Sequence, residues 1–216
     1  LRYTILAGRG QVDFHVFATG SSAAQTRRRL ASAKKRVYQA VGSHVFGEDA
    51  VTLESAVGQA LLERGLTLAV AESCTGGLVA KRITAIPGSS KYFLGGLVAY
   101  DNSIKARLLG VSKQTLAAHG AVSAPAAREM AMGARRATGA SLGLAVTGIA
   151  GPGGGSAKKP VGLVYMALAG PGTFECRDWK LDLPGERETV RERASAAALT
   201  LVLRRLKARP LRGALK

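Results

Sequence analysis

The sequence predicts an α/β fold, a three-layer sandwich with a mixed, partly parallel sheet, preceded by a small α+β unit. From about residue 50 onward, apolar runs typical of buried strands alternate with amphipathic stretches typical of helices, which favours parallel strands joined by helices. Two strand-like stretches follow Pro160 without a helix between them, and they indicate an antiparallel edge. The 216 residues suffice for one ordinary domain with a small appendage. We therefore expect an α+β unit over 1–49, an α/β domain over 50–208 and a basic tail over 209–216.

The first unit shows one strand pattern and one helix pattern. Residues Val12 to Val16 alternate apolar and polar side chains, as a half-buried strand does. After Gly20, apolar residues recur at spacings of three and four, which predicts one face of a helix formed by Leu30, Ala33, Val37 and Val41. The segment Gly42–Gly47 then predicts a turn and a short strand.

The α/β domain opens with a predicted helix that ends at Gly65 and presents one apolar face, formed by Leu53, Val57, Leu61 and Leu62. The nearly continuous apolar run Leu66–Ala71 predicts a central strand buried on both faces. The remaining predicted elements are a helix over Gly76–Ala85, a strand over Phe93–Tyr100, helices over Ser103–Leu109, Lys113–His119 and Ser123–Thr138, strands over Leu142–Val146, Val161–Leu168 and Thr173–Leu181, and a final helix over Gly185–Leu206.

The composition excludes several classes of protein. A hydrophobic share of 47% with a charged share of 21% is typical of a globular chain rather than a disordered one. No stretch of about 18 uninterrupted apolar residues occurs, so we expect no contact with a membrane interior. The segment Leu1–Thr4 does not resemble the start of a secretory signal, and it lacks an initial Met. We therefore expect a cytoplasmic protein and a fragment or trimmed chain.

The formal net charge of +17 implies an anionic partner. Nucleic acid is the less favoured partner, because the positive charge is spread along the chain and aromatic residues make up only 5% of it. The two cysteines, Cys74 and Cys176, and the three separated histidines provide neither a disulfide framework nor local metal-ligand spacing. We expect no metal and no organic cofactor, and the apolar strands are compatible with a homodimer.

The segment Ala71–Gly77 is the richest candidate for chemistry, because a strand end passes directly into a glycine-opened helix. Open α/β sheets bind ligands at the carboxyl ends of their strands, so Ser73 is placed there as a candidate nucleophile. Alternatively, Ser73 or Thr75 is simply the N-cap of the helix, a position that both residue types favour. The spacing alone favours neither interpretation.

A serine nucleophile needs a base, and Lys105 is the candidate. The segment Tyr100–Lys105 follows the next predicted strand, and a right-handed crossover brings it to the same edge of the sheet as Ser73. Lys105 can act as a base only if burial or neighbouring positive charge lowers its pKa. The alternative is an ordinary surface lysine.

The glycine-rich stretch Thr147–Ser156 has enough glycines to cradle a phosphate with backbone N–H groups. It is not a Walker A loop, because it contains no Gly-Lys-Ser or Gly-Lys-Thr and a strand rather than a helix is predicted after it. The pattern leaves two interpretations open, a ligand-binding loop or a flexible connector with Lys158 and Lys159 on its rim.

Five motifs together resemble the competence/damage-inducible CinA family, in its C-terminal amidohydrolase domain: Ala71–Gly77, Pro87–Ser90, Tyr100–Lys105, His119–Ser123 and Gly148–Gly154. The motifs follow the family's order and span roughly Leu53 to Leu168. The resemblance implies hydrolysis of the carboxamide of nicotinamide mononucleotide to nicotinic acid mononucleotide and ammonia, in pyridine-nucleotide salvage. Residues 1–49 resemble the small domain that precedes the amidohydrolase domain in longer family members. Those longer proteins begin with a molybdopterin-binding-like domain, and this sequence contains no counterpart of it.

The resemblance also implies roles for individual residues. Ser73 attacks the carboxamide carbon, Lys105 takes and returns the proton, and Tyr100 orients the lysine or relays the proton. Backbone N–H groups of the turn hold the oxyanion, at Thr75, Gly76 and Gly77. As a weaker extension, the glycine-rich loop binds the substrate phosphate through Gly148, Gly151 and Gly153. The competing hypothesis is a nucleotide-binding module without turnover, whose basic N-terminal unit contacts nucleic acid or a DNA-processing partner.

Overall fold

The computed structural model describes residues 1–8, 10–171 and 177–208. The chain forms two compact units, Leu1–Thr52 and Leu53–Lys216, so the division lies slightly later than the expected boundary after residue 49. The expected basic tail over 209–216 and the expected strand start at Thr173 lie outside the described residues. No helix in the described ranges combines the length and the apolar character that a bilayer crossing requires.

The first unit consists of a β-hairpin and one long helix. Strand β1 (Arg2–Gly8), which the sequence analysis missed, pairs antiparallel with β2 (Gln11–Phe17). Ser22 is the N-cap of helix α1 (Ala23–Val41), and its hydroxyl accepts the Gln25 amide N–H. A 3-10 turn over Gly42–His44 follows the helix. No strand follows that turn within the described part of this unit, contrary to the expectation for Gly42–Gly47.

The expected burial in this unit is wrong for both elements. Val12 and Phe14 of β2 are exposed, and among the predicted inward positions of α1 only Ala33 is buried. The alternation and the spacing correctly indicate a strand and a helix, but two strands and one helix provide too little surface to bury a full apolar face.

The second unit contains five strands and six helices within its described residues. In chain order they are α2 (Leu53–Leu62), β3 (Leu68–Glu72), α3 (Leu78–Thr84), β4 (Phe93–Val98), α4 (Asn102–Leu109), α5 (Lys113–His119), α6 (Ala124–Thr138), β5 (Leu142–Gly148), β6 (Leu163–Ala169), β7 (Arg177–Asp182) and α7 (Arg187–Lys207). A further 3-10 turn covers Ser89–Lys91. Most bounds agree with the predicted elements within a few residues, although Leu62, predicted on the apolar face of α2, is exposed.

The sheet has the strand order β4-β3-β5-β6-β7. Strand β3 runs parallel to β4 and β5, whereas β5–β6 and β6–β7 are antiparallel pairs. The predicted mixed sheet with an antiparallel edge is therefore confirmed. The carboxyl ends of β3, β4 and β5 meet at one edge of the sheet, which brings together the segments that follow Glu72, Val98 and Gly148.

Helices pack on both faces of the sheet, and many of the side chains at the contact with α6 are alanines. Strand β3 is buried along its whole length, as its apolar run predicts. Ala69 and Ala71 belong to a core cluster with Ala127, Met130 and Ala131 of α6, so α6 lies close on one face. By strand alternation, Leu68 and Val70 point to the opposite face, and α7 packs against the sheet through β5 and β6.

Helix α6 approaches α4 closely at Gly133, because a Cβ atom there would collide with the backbone carbonyl of Leu109. We expect Gly133→Ala to lower the free energy of unfolding by about 3 kcal/mol, since a backbone carbonyl can move away only with its helix. For a chain of this size that corresponds to a fall in Tm of roughly 6–12 °C. The matched control is Gly153→Ala, where an added Cβ meets open space. Equal melting temperatures for the two variants would contradict the close approach.

Candidate active site

A cavity of about 220 Å³ opens at the edge of the sheet where β3, β4 and β5 end. Loops after all three strands contribute to its wall, together with the α5–α6 connection and the first residue of α7. The lining residues are Ser73, Cys74, Tyr100, Asn102, Lys105, Ala121, Val122, Thr147, Gly148, Ala150 and Arg187. The structure thus brings Ser73, Tyr100, Lys105 and Gly148 together, as the sequence predicts.

Ser73 follows the last residue of β3. Its amide N–H donates to the carbonyl of Val146 on β5 at 2.9 Å, which continues the parallel pairing one residue beyond the strand. The residue is 8% exposed, and its hydroxyl has no hydrogen-bond partner within the described ranges. A hydroxyl in a cavity wall with no partner among the described residues is placed to react with a ligand.

Glu72 caps helix α3, and this resolves the two interpretations of the segment in favour of a free Ser73. The Glu72 carboxylate accepts the amide N–H groups of Gly77 and Val79 at 3.0 Å each and of Ala80 at 2.8 Å. The N-cap position is Gly77 in a left-handed conformation, with φ 96°, where a glycine is favoured. The hydroxyl groups of Ser73 and Thr75 therefore do not cap this helix.

The expected oxyanion donors need a correction. The amide of Gly76 donates to the carbonyl of Ser73 at 3.1 Å, and that of Gly77 donates to Glu72. Both groups are therefore engaged within the turn, and neither residue lines the cavity among the described residues. The amides of Cys74 and Thr75 have no main-chain acceptor in the described part of the chain, but both are close enough to the Cys74 thiol to bond it. Of these two residues only Cys74 lines the cavity, so its amide is the candidate donor that remains.

Lys105 is a buried lysine rather than a surface one. It lies on α4, is 1% exposed, and donates from Nζ to the carbonyls of Ala99 and Tyr100 at 2.8 Å each. Burial lowers its pKa, and the nearby Asp101 carboxylate opposes this only in part. When the amine is neutral it has two N–H bonds and one lone pair; the two carbonyls then accept both N–H bonds, and the lone pair is left to accept a proton.

Cys74 also lines the cavity, but its thiol is unsuited to nucleophilic attack. Burial raises the pKa of the Cys74 thiol to about 12, with the neighbouring Glu72 carboxylate adding to the effect. Because the thiolate is the reactive form, a thiol with this pKa is inert near neutral pH. Ser73 is therefore the nucleophile candidate of this turn.

Tyr100 contacts the lysine in a different way from the one expected. Its backbone carbonyl accepts a hydrogen bond from Lys105, so the main chain of Tyr100 helps to orient the amine. Its phenolic oxygen instead accepts a hydrogen bond from Arg187 at 3.1 Å, and the residue is 62% exposed. The phenol is thus paired with a cation at the mouth of the cavity and not with the lysine.

Arg187 is a cavity residue that the sequence analysis missed. Its guanidinium donates to the Gly151 carbonyl at 2.7 Å and to the Tyr100 hydroxyl, and it lines the cavity. It thereby links the glycine-rich loop to the loop after β4. Arg187 begins the final helix among many other charged residues, so the sequence carried no signal that distinguished it. Asn102 and Thr147 were also missed, and the Thr147 hydroxyl donates to the carbonyl of Ala121 at 2.9 Å.

The glycine-rich loop reaches the cavity only at its beginning. Gly148 and Ala150 line the wall, and a Cβ atom at Gly148 would meet the Leu163 carbonyl at 2.7 Å. Gly151 and Gly153 do not line the cavity as far as the chain is described. Lys159 fixes the end of the loop by donating from Nζ to the carbonyls of His119 at 2.6 Å and Val122 at 2.8 Å. The loop is thus tied down by cations at both ends.

The described residues contain no group of three or more His, Cys, Asp or Glu side chains placed as metal ligands. The polar groups that line the cavity include a hydroxyl, an amine, a carboxamide and a guanidinium, on Ser73, Lys105, Asn102 and Arg187. A serine hydroxyl and a lysine of lowered pKa in one cavity are groups suited to acyl transfer.

Comparison with known proteins gives a consistent result for this domain. Residues 50–206 match the family model described as the CinA C-terminal domain. CinA-like proteins of Geotalea daltonii and Gloeobacter violaceus are 55% identical over 170 residues and 44% identical over 200 residues. These alignments cover 79% and 93% of this chain but only 41% and 47% of the relatives. The chain thus spans about half the length of the curated relatives it matches.

Solved structures agree with these sequence matches. The competence/damage inducible protein CihA from Agrobacterium tumefaciens is 40% identical with a TM-score of 0.68, over 73% of this chain and 95% of that one. A CinA superfamily protein from Escherichia coli is 32% identical with a TM-score of 0.67, over 76% of this chain and 97% of that one. The family model covers the α/β unit that carries the cavity, and the chain belongs to the CinA family.

Proposed function

We propose that the protein is an amidohydrolase that converts nicotinamide mononucleotide to nicotinic acid mononucleotide and ammonia, with Ser73 as nucleophile and Lys105 as base. The observation that carries the proposal is the environment of Lys105. Its Nζ donates to two main-chain carbonyls, burial lowers its pKa, and it shares a cavity with a serine hydroxyl that has no partner among the described residues. The substrate itself comes from the family resemblance.

The chemistry follows from these two groups. Ser73 Oγ attacks the carboxamide carbon while Lys105 Nζ takes the hydroxyl proton, and the amide of Cys74, which lines the cavity, is the candidate donor to the oxyanion. The C–N bond then breaks, and the proton on Lys105 goes to the departing ammonia. Water attacks the resulting ester with Lys105 again as base, which releases the carboxylate product and restores Ser73. The proposed reaction uses no cofactor.

Arg187 is proposed to bind the anionic part of the substrate. The guanidinium of arginine is the side-chain group best suited to pair with phosphate oxygens. Arg187 lines the cavity and donates to the Gly151 carbonyl of the glycine-rich loop. Gly148 lines the same wall, and we propose that this loop also contributes backbone N–H groups to phosphate binding. With the phosphate of the substrate at Arg187, its nicotinamide end would face Ser73.

This role predicts the effect of Arg187→Met. We expect KM for nicotinamide mononucleotide to rise about tenfold or more, because a charge-assisted hydrogen bond of about 1.5–3 kcal/mol is lost. The change in KM for the corresponding riboside, which has no phosphate, should be much smaller. Arg193→Met is the control, since Arg193 lies on the same helix and donates to the Pro184 carbonyl outside the cavity. Equal changes for mononucleotide and riboside would contradict the phosphate contact.

The direct test of the function is the incubation of the purified chain with nicotinamide mononucleotide, without added metal. Ammonia and nicotinic acid mononucleotide are measured separately, and we expect them to appear in equal amounts. The substrate is omitted in one control and the protein in another. Binding of the mononucleotide by the folded protein without any release of ammonia would contradict the proposal.

The second candidate function is a binding module that contacts nucleic acid, and the net charge of +17 is the observation that favours it. Filter binding to nucleic acid over a series of salt concentrations tests it, because phosphate contacts weaken steeply as salt rises. Binding that does not depend on salt, or no binding at low salt, would exclude this function.

A further inference from the structure

Glu72 is a buried carboxylate directly beside the candidate nucleophile, and the proposed chemistry gives it no part. It is 1% exposed at the end of β3 and lies outside the cavity lining among the described residues. Its two carboxylate oxygens accept three backbone N–H groups, from Gly77, Val79 and Ala80. A charge at this depth is tolerated because several hydrogen bonds satisfy it.

These three bonds close the turn that carries Ser73. The Glu72 side chain accepts hydrogen bonds from the start of α3, so these bonds connect the end of β3 directly to the beginning of the helix. Within the closed turn, the Ser73 amide is paired with β5 and the Ser73 carbonyl accepts the Gly76 amide. Ser73 is therefore held through its own main chain on both sides, with its side chain left in the cavity wall.

The same bonds decide which amides remain available in the turn. Glu72 occupies the Gly77 amide, and the closed turn occupies the Gly76 amide. Cys74 and Thr75 keep amides without a main-chain acceptor in the described part of the chain, and both amides are close to the Cys74 thiol. The Glu72 carboxylate thus engages the amides at the start of α3 and not those next to Ser73.

We propose that Glu72 is the positioning residue of the nucleophile: its carboxylate holds the turn from Ser73 to Gly77 in the conformation that keeps the Ser73 side chain in the wall of the cavity that Lys105 also lines. The inference rests on the proposed function, because it assigns a purpose to the placement of Ser73 in this cavity. Glu72 itself touches no substrate.

A neutral isostere tests this role. Glutamine at this position offers one carbonyl oxygen and one NH₂ group, so it cannot accept all three N–H groups and its NH₂ faces a donor. We expect Glu72→Gln to reduce kcat about 100-fold, since a displacement of about 1 Å at a reacting group has an effect of that size. KM should change less than about threefold, because the residues proposed to bind the substrate are untouched.

A purely structural role predicts a different pattern, and Glu129→Gln provides the matched control. Glu129 also accepts a backbone N–H, from Ser112 at 2.7 Å, and a hydroxyl, from Thr115 at 2.7 Å, but it lies outside the cavity lining. Both variants should lower Tm, whereas only Glu72→Gln should lower kcat. Equal kcat values per mole of folded protein for Glu72→Gln and Glu129→Gln would overturn the proposal.

A second readout makes the inference independent of the substrate. A fluorophosphonate probe forms a bond from phosphorus to Ser73 Oγ with loss of fluoride, and its rate reports the alignment and activation of the serine. We expect Glu72→Gln to slow this labelling about as much as it lowers kcat. Labelling at the wild-type rate would overturn the positioning role even if the variant has a lower Tm.

The two readouts separate the possible failures. If the wild-type protein is labelled at Ser73 but releases no ammonia from nicotinamide mononucleotide, the proposed substrate is wrong, and the labelling rates still decide the role of Glu72. If wild-type activity is found and Glu72→Gln retains it, only the positioning role is wrong. Should Glu72→Gln not fold, Glu72→Asp replaces it, since aspartate keeps the charge and both oxygens but is one methylene shorter. The same loss of kcat and labelling is expected, and wild-type values for both would overturn the proposal.

Discussion

Replacing Ser73 with alanine is expected to reduce ammonia release from nicotinamide mononucleotide by about 10⁴-fold to 10⁶-fold, to the background of the assay. The hydroxyl is the only atom group removed, and no other group of the turn replaces it, because the adjacent Cys74 thiol stays protonated with its pKa raised to about 12. Binding of the substrate should be retained, since Arg187 and the loop after β5 are unchanged.

Ammonia release and substrate binding are measured on the same preparation, the second by calorimetry on the inactive variant. Ser90→Ala is the control, because Ser90 is exposed in the 3-10 turn over Ser89–Lys91. A dissociation constant close to the wild-type KM together with the loss of turnover would identify Ser73 as the nucleophile. Turnover within tenfold of the wild type would show that another group attacks the substrate.

The second large effect concerns the base. We expect Lys105→Met to lower kcat/KM by about 10²-fold to 10⁴-fold, which is the usual contribution of a general base. Methionine preserves much of the length and packing of the lysine stem but leaves the carbonyls of Ala99 and Tyr100 without their donor. Part of the loss therefore comes from a displaced loop, and the pH profile separates the two contributions.

The sign of the pH dependence follows from the protonation state that the reaction needs. Lys105 accepts a proton only when neutral, so kcat/KM of the wild type should rise with pH as the amine loses its proton. Burial lowers the pKa of Lys105, so the midpoint should lie below the ordinary lysine value of 10.5. In Lys105→Met this ionisation is absent, and the rise should vanish.

The profile is measured as kcat/KM across the range in which the fold is intact, with Lys113→Met as the control. Lys113 is an exposed lysine on α5, and its removal should leave the midpoint in place. A Lys105→Met profile that rises at the wild-type midpoint would mean that another group is the base.

The sequence predicts the architecture of the α/β unit well because its elements are locally encoded. The run Leu66–Ala71 is too apolar for any strand but a central one, and β3 is indeed buried throughout. Since β3, β4 and β5 run parallel, the segments after them had to meet at one edge. This is why Ser73 and Lys105 could be placed at one edge from the alternation of strands and helices, whereas Gly148 was assigned to the site only through the family resemblance.

The parts that the sequence did not reveal depend on contacts between distant segments or on side-chain direction. Arg187 lies more than eighty residues after Tyr100, and only the docking of α7 brings its guanidinium to the phenol. The capping role of Glu72 was hidden because serine and threonine next to it are the residue types that usually cap helices. The apolar side chains of the N-terminal hairpin are exposed because its unit provides too little surface to bury them. The alternation of apolar and polar residues indicates a strand but does not indicate how much surface is available to cover it.

The link that Arg187 makes between Tyr100 and the glycine-rich loop also has a consequence for the order in which the chain acquires its function. The proposed nucleophile and the proposed base are both present by residue 105, but the cavity wall is complete only when the first turn of α7 has docked. During synthesis these two groups therefore precede Arg187, the proposed phosphate-binding group, by some eighty residues. Fraying of the start of α7 would open the binding end of the cavity while leaving the serine and the lysine in place, so loss of affinity should precede loss of chemistry as this helix end loosens.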